Sequence, residues 1–283
     1  MKIAVASHIS IDNIDNQEGH LGGSACYCGL VCREIGLDTT LVTRVGLDFP
    51  NEMRDFLNVK DLAIGRQDDH SPTTRFYLRY IDDWRQLYLI SKCSPLTIDD
   101  VKEVDVDGWI VSPIIDEIPL SVLEEITKKN QFVTLDPQGY FRKINNGGRV
   151  STHKEIRLDL AGISAIKASE HEYYALKTGI IHEPKFTILT NRSGTIWMGE
   201  HEITLEHVTE SPDRTGLGDI LTAAFTCAYI KERDPRWALC YGVGAIQAAL
   251  ETKGFGIKKI PKRSQIERNA LRFFDRLSNN QLK

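Results

Sequence analysis

The stretch "SPDRTGLGDILTAAF", residues 211–225, sets two glycines around one leucine, places an aspartate directly after them and then runs into a long apolar segment. Gly216 and Gly218 free the backbone to turn tightly and let a ligand come close to its amides. The apolar run predicts a helix over 216–233, with Thr215 as its N-cap. The first amides of a helix lack partners inside it, and together with the helix dipole they attract an anion. Asp219 then has two readings. It complements the positive end of the dipole, as first-turn acids commonly do. Alternatively it stands beside a bound phosphoryl group and takes a proton from an attacking hydroxyl, a role worth about 10²–10⁴ in rate. The stretch is not a P-loop, because no Gly-Lys-Ser or Gly-Lys-Thr follows. Nor is it a dinucleotide fingerprint, which needs a strand immediately before it and a third glycine.

Working outward, the pattern alternates strand and helix. Strands are expected at 2–7, 39–45, 108–112, 132–136, 163–169 and 186–191. Helices are expected at 24–35 (stopping at Gly36), 51–58, 119–129, 170–178, 235–251 and 264–277. Residues 194–205 read as a hairpin. So does 73–90, where Phe76, Leu78 and Tyr80 alternate with Arg75, Tyr77 and Arg79, and Asp82-Asp83 marks the turn. That hairpin is either a small separate sheet or an extension of a sheet edge. Strands alternating with helices predict an α/β fold with a mainly parallel sheet covered on both faces.

The 283 residues suit one large α/β domain and can bury a sizeable core. With 41% hydrophobic and 26% charged residues the composition is that of an ordinary globular protein. A formal charge of −4 gives no reason to expect a nucleic-acid partner. The longest apolar run, near 220–230, is interrupted by threonines and falls short of the roughly 20 residues of a membrane span, so no membrane partner is expected. The start, MKIAVASHISID, meets His8 and Asp12 too early for a secretory signal, and the expected location is the cytoplasm. Cys26, Cys28 and Cys32 lie close together, yet no second pair follows at zinc spacing. They read as small buried hydrophobes, with a metal site as the rival.

"DRTGLGDILTAAF" resembles the C-terminal signature of the PfkB, or ribokinase-like, carbohydrate kinases, written D-T-x-G-A-G-D. "LGGSACYCGLVCREIGLDTTLVTRVGLD", residues 21–48, resembles their N-terminal signature, a Gly-Gly pair opening a helix and then a strand ending in V-G-x-D. The two lie about where the family has them, so the resemblance spans essentially the whole chain. It implies a three-layer α/β/α fold, a single domain over 1–283 and a small β lid formed mainly by 73–90 and the segment near 10–20.

The resemblance also implies roles. Asp219 matches the catalytic base, and the amides of Gly216, Leu217 and Gly218 match the anion hole. Asp213 matches the first acid of the motif, while Arg214 and Leu217 depart from its usual threonine and alanine. Arg214 either adds positive charge near the phosphates or points into solvent. Asp12 matches the residue that holds a pair of substrate hydroxyls, its alternative being a turn cap, and Gly22 and Gly23 match the pair that lets sugar approach the backbone. Ser24 and Tyr27 stand where the family has lysine and asparagine, which points away from ribose and toward another polyol. "KASEHE", 167–172, matches an N-x-x-E motif that organises Mg²⁺, with Ser169 in place of the asparagine and Glu172 keeping the acid; the same residues also read as an N-cap. Thr190 and Gly194 resemble the nucleotide-side turn, and Gly242 and Ala245 are placed on the adenine wall.

"LDPQGYFRKI", 135–144, puts Asp136 at a strand end and offers Gln138 and Arg142 to a hydroxyl-rich substrate or a phosphate, with a surface salt bridge as the plainer use of the arginine. Together with "SPIIDEIP" and the Gly22, Gly23, Ala25, Tyr27 pattern it resembles the archaeal inositol-kinase branch. The implied activity is an ATP- and Mg²⁺-dependent kinase of a small sugar or polyol, myo-inositol among them, acting as a monomer or homodimer. Two rivals stand. One is a nucleoside kinase with Phe76, Tyr80 and Trp84 as a base slot, and the other is an inactive ligand-binding member.

Overall fold

The structure is a computed structural model of the chain. It describes residues 1–283 apart from 16, 69, 82–83, 130, 153–155, 178–181, 207–212, 253 and 281–283. The expected turn at Asp82-Asp83 and the last residue of the expected helix 170–178 therefore lie outside the described residues.

The strands are β1 (Lys2–Ala6), β2 (Ser10–Ile14), β3 (Gln17–Gly22), β4 (Asp38–Val42), β5 (Arg44–Gly46), β6 (Arg66–Asp68), β7 (Thr74–Ile81) and β8 (Trp84–Ser91). They continue with β9 (Gly108–Val111), β10 (Phe132–Leu135), β11 (Arg142–Ile144), β12 (Val150–Thr152), β13 (Ala165–Ser169), β14 (Phe186–Thr190), β15 (Thr195–Met198) and β16 (His201–Thr204). The helices are α1 (Ser24–Glu34), α2 (Asn51–Val59), α3 (Ile98–Val101), α4 (Leu120–Thr127), α5 (Glu170–Lys177), α6 (Leu217–Glu232), α7 (Pro235–Glu251) and α8 (Arg263–Asn280).

Eight strands form the central sheet in the order β16-β15-β14-β13-β10-β9-β1-β4. From β4 to β14 every neighbouring pair is parallel, and the β15–β16 hairpin closes one edge antiparallel. Side chains alternate across this sheet as a period of two requires. Ile3, Val5 and Ile110 pack with α1, α6, α7 and α8, while Ala4, Ala6, Trp109, Val111 and Val133 pack with α3 and α4. The result is the expected three-layer α/β/α fold.

A second sheet has the order β3-β2-β7-β8. The hairpin at 73–90 thus belongs to a small separate sheet, joined by two strands from residues 10–22. Phe76 and Leu78 from β7 and Ile14 from β2 pack against Ile114 and Ile115, which follow β9. The expected strand 39–45 is two strands in two sheets. Thr43 breaks it, because its buried hydroxyl accepts the backbone N–H of Ile9 and the chain leaves the central sheet there. No helix among the described residues is long and apolar enough to cross a membrane.

Candidate active site

The parallel strands deliver their carboxyl ends to one edge of the sheet, where ligands of open α/β sheets bind. Ser112 follows β9, Asp136 follows β10, and Lys167 is the middle residue of β13. Helix α6 points its first turn at them. Its N-cap is Gly216, left-handed at φ 76°, and no side chain caps the helix. A side chain at 216 would also strike the ring of Tyr27, 2.6 Å from where a Cβ would stand. The expected N-cap, Thr215, is therefore corrected. The glycine starts the helix one residue later and turns the Thr215 hydroxyl toward Tyr80, 3.0 Å away on the small sheet.

Asp219 is the third residue of α6 and is 8% exposed. Its Oδ1 lies 3.3 Å from both the Ser112 hydroxyl and the Gln138 side-chain amide, each of which donates to it. The Gln138 oxygen in turn accepts a hydrogen bond of 3.0 Å from Arg142, and Arg142 also donates to the carbonyl of Ile114. Gln138 and Arg142 therefore reach the aspartate as a chain, and Arg142 is half-buried beside Gln138, the two residues that the sequence offers to a hydroxyl-rich substrate or a phosphate.

Lys167 is buried under the same turn. A Cβ on Gly218 would come within 2.5 Å of its Nζ, so any side chain there would have to displace the ammonium. Nζ donates to Asp136 Oδ2 at 2.8 Å. Burial pushes the Asp136 carboxyl up, to about 6, with Lys167 pulling the other way and Glu172 and Asp219 adding to the rise. Burial works against the Lys167 ammonium, but the carboxylates of Asp136, Glu172 and Asp219 outweigh it and hold the group protonated. The sequence carried one signal for this cation, a lysine inside the otherwise apolar strand "ISAIKAS".

Two cavities meet at the turn. One, of about 190 Å³, is lined by Asp12, Gly23, Tyr27, Gln138, Arg142 and Asp219, with Phe76 and Leu78 from the small sheet. Asp12 is buried there and accepts a 2.7 Å hydrogen bond from Ser10. Gly22 makes space for it, since a Cβ at 22 would collide with the Asp12 carboxylate. Gly23 caps α1 at φ 83° and lies so close to the β1–β2 crossing that a Cβ would meet the His8 carbonyl oxygen at 2.5 Å. The other cavity, of about 430 Å³, is lined by Thr190, Arg192 and Gly194 and by an apolar wall of Ile196, Leu205, Leu217, Leu221, Ile246 and Leu250. Arg214 and Gly218 line both.

Two expected positions fall elsewhere. Gly242 and Ala245 are buried in helix packing, Gly242 against Leu221, and line neither cavity. The face of α7 that meets the larger cavity is one turn on, at Ile246 and Leu250. Ser169 and Glu172 form a reciprocal helix cap. Glu172 Oε2 accepts from the Ser169 amide and hydroxyl, each at 2.8 Å, and the Glu172 amide donates to the Ser169 hydroxyl at 3.3 Å. Neither lines the two cavities. Among the described residues no group of three or more His, Cys, Asp or Glu side chains could hold a metal, and Cys26, Cys28 and Cys32 are core thiols.

No family model and no curated protein matches the sequence. Solved structures share the fold. A pyrophosphate-dependent kinase in the ribokinase family, complexed with a pyrophosphate analog and myo-inositol, is similar with a TM-score of 0.76 at 19% identity, over 94% of this chain and 99% of its own. The nucleoside kinase of Methanocaldococcus jannaschii, an archaeal member of the ribokinase family, has a TM-score of 0.73 at 16% identity, over 96% and 98% of the two chains. Ribokinase from Thermotoga maritima has 0.71 at 18%, over 95% and 99%. At these identities the likeness establishes a ribokinase-like fold.

Proposed function

We propose that this protein, with its ribokinase-like fold, is a phosphotransferase that moves the terminal phosphoryl group of ATP to a hydroxyl of a small sugar or polyol. One observation carries this. The two cavities meet at the amides that open α6, and Asp219 stands on the side of the smaller one. The chain then acts as one domain, with the four-stranded sheet as a lid over the smaller cavity.

The larger cavity suits the donor. Its 430 Å³ lies within the roughly 300–1,000 Å³ of ligand pockets, and its apolar wall fits the flat face of a base. Pyrophosphate alone would leave that wall bare. The smaller cavity, 190 Å³, is below that range and suits a single ring with many hydroxyls, such as myo-inositol, better than a nucleoside. Its Phe76 is present as an aromatic wall, while the side chain of Trp84 lies outside the described residues.

Phosphoryl transfer is mainly a matter of position and electrostatics, and each step falls to a residue of this chain. Asp12 accepts hydrogen bonds from hydroxyls of the acceptor and fixes its orientation. Ser112 and Gln138 hold the Asp219 carboxylate by one oxygen and leave the other to face the cavity. Asp219 takes the proton of the attacking hydroxyl. The amides of Gly216, Leu217 and Gly218 receive the oxygens of the moving group, and the Lys167 ammonium, paired with Asp136, lies directly beneath Gly218. Arg214 lines both cavities, is exposed and donates to the Arg192 carbonyl at 3.4 Å. Mg²⁺, when bound with the nucleotide, supplies further charge on the phosphate oxygens. Most of its ligands would be phosphates and waters, since Glu172 is engaged in the Ser169 cap and lines neither cavity.

The test is a product-release screen. MgATP and pyrophosphate are each offered with inositols, pentoses, hexoses and nucleosides. Turnover with MgATP and a polyol is expected. Turnover with pyrophosphate alone would overturn the donor, turnover only with nucleosides would overturn the acceptor, and binding without turnover would leave a ligand-binding protein.

A further inference from the structure

The basic run "KGFGIKKIPK", 253–262, reads as a solvated surface segment, yet one of its lysines is buried. Lys259 is 1% exposed, while Lys258 and Lys262 face solvent. Its Nζ donates to Asp213 twice, to Oδ2 at 2.9 Å and to the backbone carbonyl at 2.9 Å. We propose that Lys259 is a built-in cation that sets the anion turn of α6, a positioning residue for phosphoryl transfer that does not itself touch substrate. This rests on the phosphotransferase reading above.

Two routes connect the ammonium to the turn. Through the first, Asp213 Oδ1 accepts the backbone N–H of Thr215 at 2.8 Å, one residue before the Gly216 cap, while Oδ2 also accepts the N–H of Gly256 at 2.8 Å. The carboxylate therefore staples the turn to the segment that carries Lys259. Through the second, Nζ lies 6.0 Å from the centre of the Tyr27 ring, and that ring packs against Gly216. Turn, ring and ammonium form one packed unit.

The charge balance gives the pair its purpose. Burial alone would raise the Asp213 carboxyl, but the Lys259 ammonium and the backbone donors outweigh it and hold the group below its ordinary range. An ionised Asp213 accepts both backbone N–H groups. Left without a counter-charge, a buried carboxylate this close to the turn would repel an incoming phosphoryl group or take up a proton. Lys259 cancels that field while keeping the staple.

The experiment uses the full-length, ¹⁵N-labelled protein with sulfate as the probe, followed at the amides of Gly216 and Gly218. The variants are Lys259→Met, Lys259→Ala and the double variant Lys259→Met/Asp213→Asn. The double variant leaves no buried charge unpaired and so stays folded if either single change does not. In the wild type, sulfate is expected to shift these amides to saturation. Sulfate affinity should fall at least ten-fold in Lys259→Met, which leaves the Asp213 field uncancelled, and in the double variant, where asparagine has one side-chain oxygen in place of the two that accept the Thr215 and Gly256 N–H groups; methylammonium should restore several-fold of the loss in Lys259→Ala. A folded double variant that binds sulfate within two-fold of wild type overturns the proposal, even if it melts earlier, because Lys259 is then only a brace. Wild-type amides that ignore sulfate sink the anion turn, and this inference with it. Sulfate binding without any kinase activity sinks the phosphotransferase reading alone.

Discussion

The hydroxyls of Tyr80 and Thr215 lie 3.0 Å apart, one on strand β7 of the small sheet and the other beside the glycine that caps α6. The small sheet thus touches the turn before α6 through a polar contact, and its Phe76 and Leu78 line the smaller cavity. Tyr80→Phe keeps the ring and removes only this bond. A hydrogen bond of this kind contributes about 1 kcal/mol, a factor of about five. The acceptor KM should rise by that factor with kcat within two-fold. An unchanged KM would mean that closure of the small sheet does not depend on the contact.

Asp219→Asn preserves size and lets the amide oxygen accept from Ser112 and Gln138 as the carboxylate does. The substituted amide cannot take a proton. Turnover should fall by about 10²–10⁴ while donor and acceptor still bind. Steady-state rates paired with calorimetric binding check this, and activity within a few-fold of wild type would remove Asp219 from the role of base.

The fold was legible because its signal is periodic. The β1, β9, β10 and β13 runs are short and apolar, and the glycine-flanked turn before α6 states its conformation in two residues. Where a motif carried them, at Asp219, Asp12, Gln138 and the glycines of the 216–218 turn, the positions named from sequence come together around one cavity. What escaped depends on burial that local sequence does not encode. Lys259 looks like its solvated neighbours, and only the packing of Asp213 and Tyr27 around it makes it a core cation. Glu117 in "SPIIDEIP" gave no sign that it accepts from the amides of His8, Ile114 and Ile115 and so ties the β1–β2 crossing to the loop after β9. Gly242 and Ala245 lie in helix packing and not in the larger cavity because of helical phase, since a shift of one turn moves a position of α7 from one to the other.

His8, at that crossing, makes stability depend on pH. The Ser94 carbonyl can only accept, so Nε2 carries a proton and donates to it at 3.1 Å; in the neutral ring Nδ1 then accepts from the Thr74 hydroxyl at 2.9 Å. That network needs the neutral ring. Burial lowers the His8 pKa, with the nearby Glu117 carboxylate opposing in part. The unfolded chain protonates near its ordinary 6.5 and the folded chain does so lower. Below pH 6.5 the unfolded state gains protons that the native state refuses, so stability falls on acidification and is flat above. The loss approaches roughly 1.4 kcal/mol per pH unit. Denaturant midpoints between about pH 7.5 and 5.5, which bracket the ordinary histidine value, should drop more steeply for wild type than for His8→Gln. Comparing the two removes the opposite contribution of Asp136, whose raised carboxyl is common to both. Parallel curves would mean that His8 does not titrate differently in the two states.

Lys167 offers the sharpest separation of charge from packing. Its ammonium lies directly under Gly218 and balances Asp136 at 2.8 Å. Lys167→Met fills the same space without the charge, but it strands a buried carboxylate, which costs about 3–5 kcal/mol and confuses folding with catalysis. Lys167→Met/Asp136→Asn removes both charges and leaves a side-chain oxygen at position 136 to accept the Gln138 N–H that Asp136 accepts at 3.3 Å. If the ammonium stabilises the moving phosphoryl group, the double variant should fold near the wild-type midpoint and still lose about 10²–10³ in kcat, the cost typical of deleting one donor from an anion hole. Acceptor KM should change little, because the charge acts on the transition state and not on the hydroxyls that Asp12 holds. Thermal melts and a full kcat and KM determination on the same preparation decide it. A double variant with wild-type kcat would leave the amides of α6 as the whole of the anion hole.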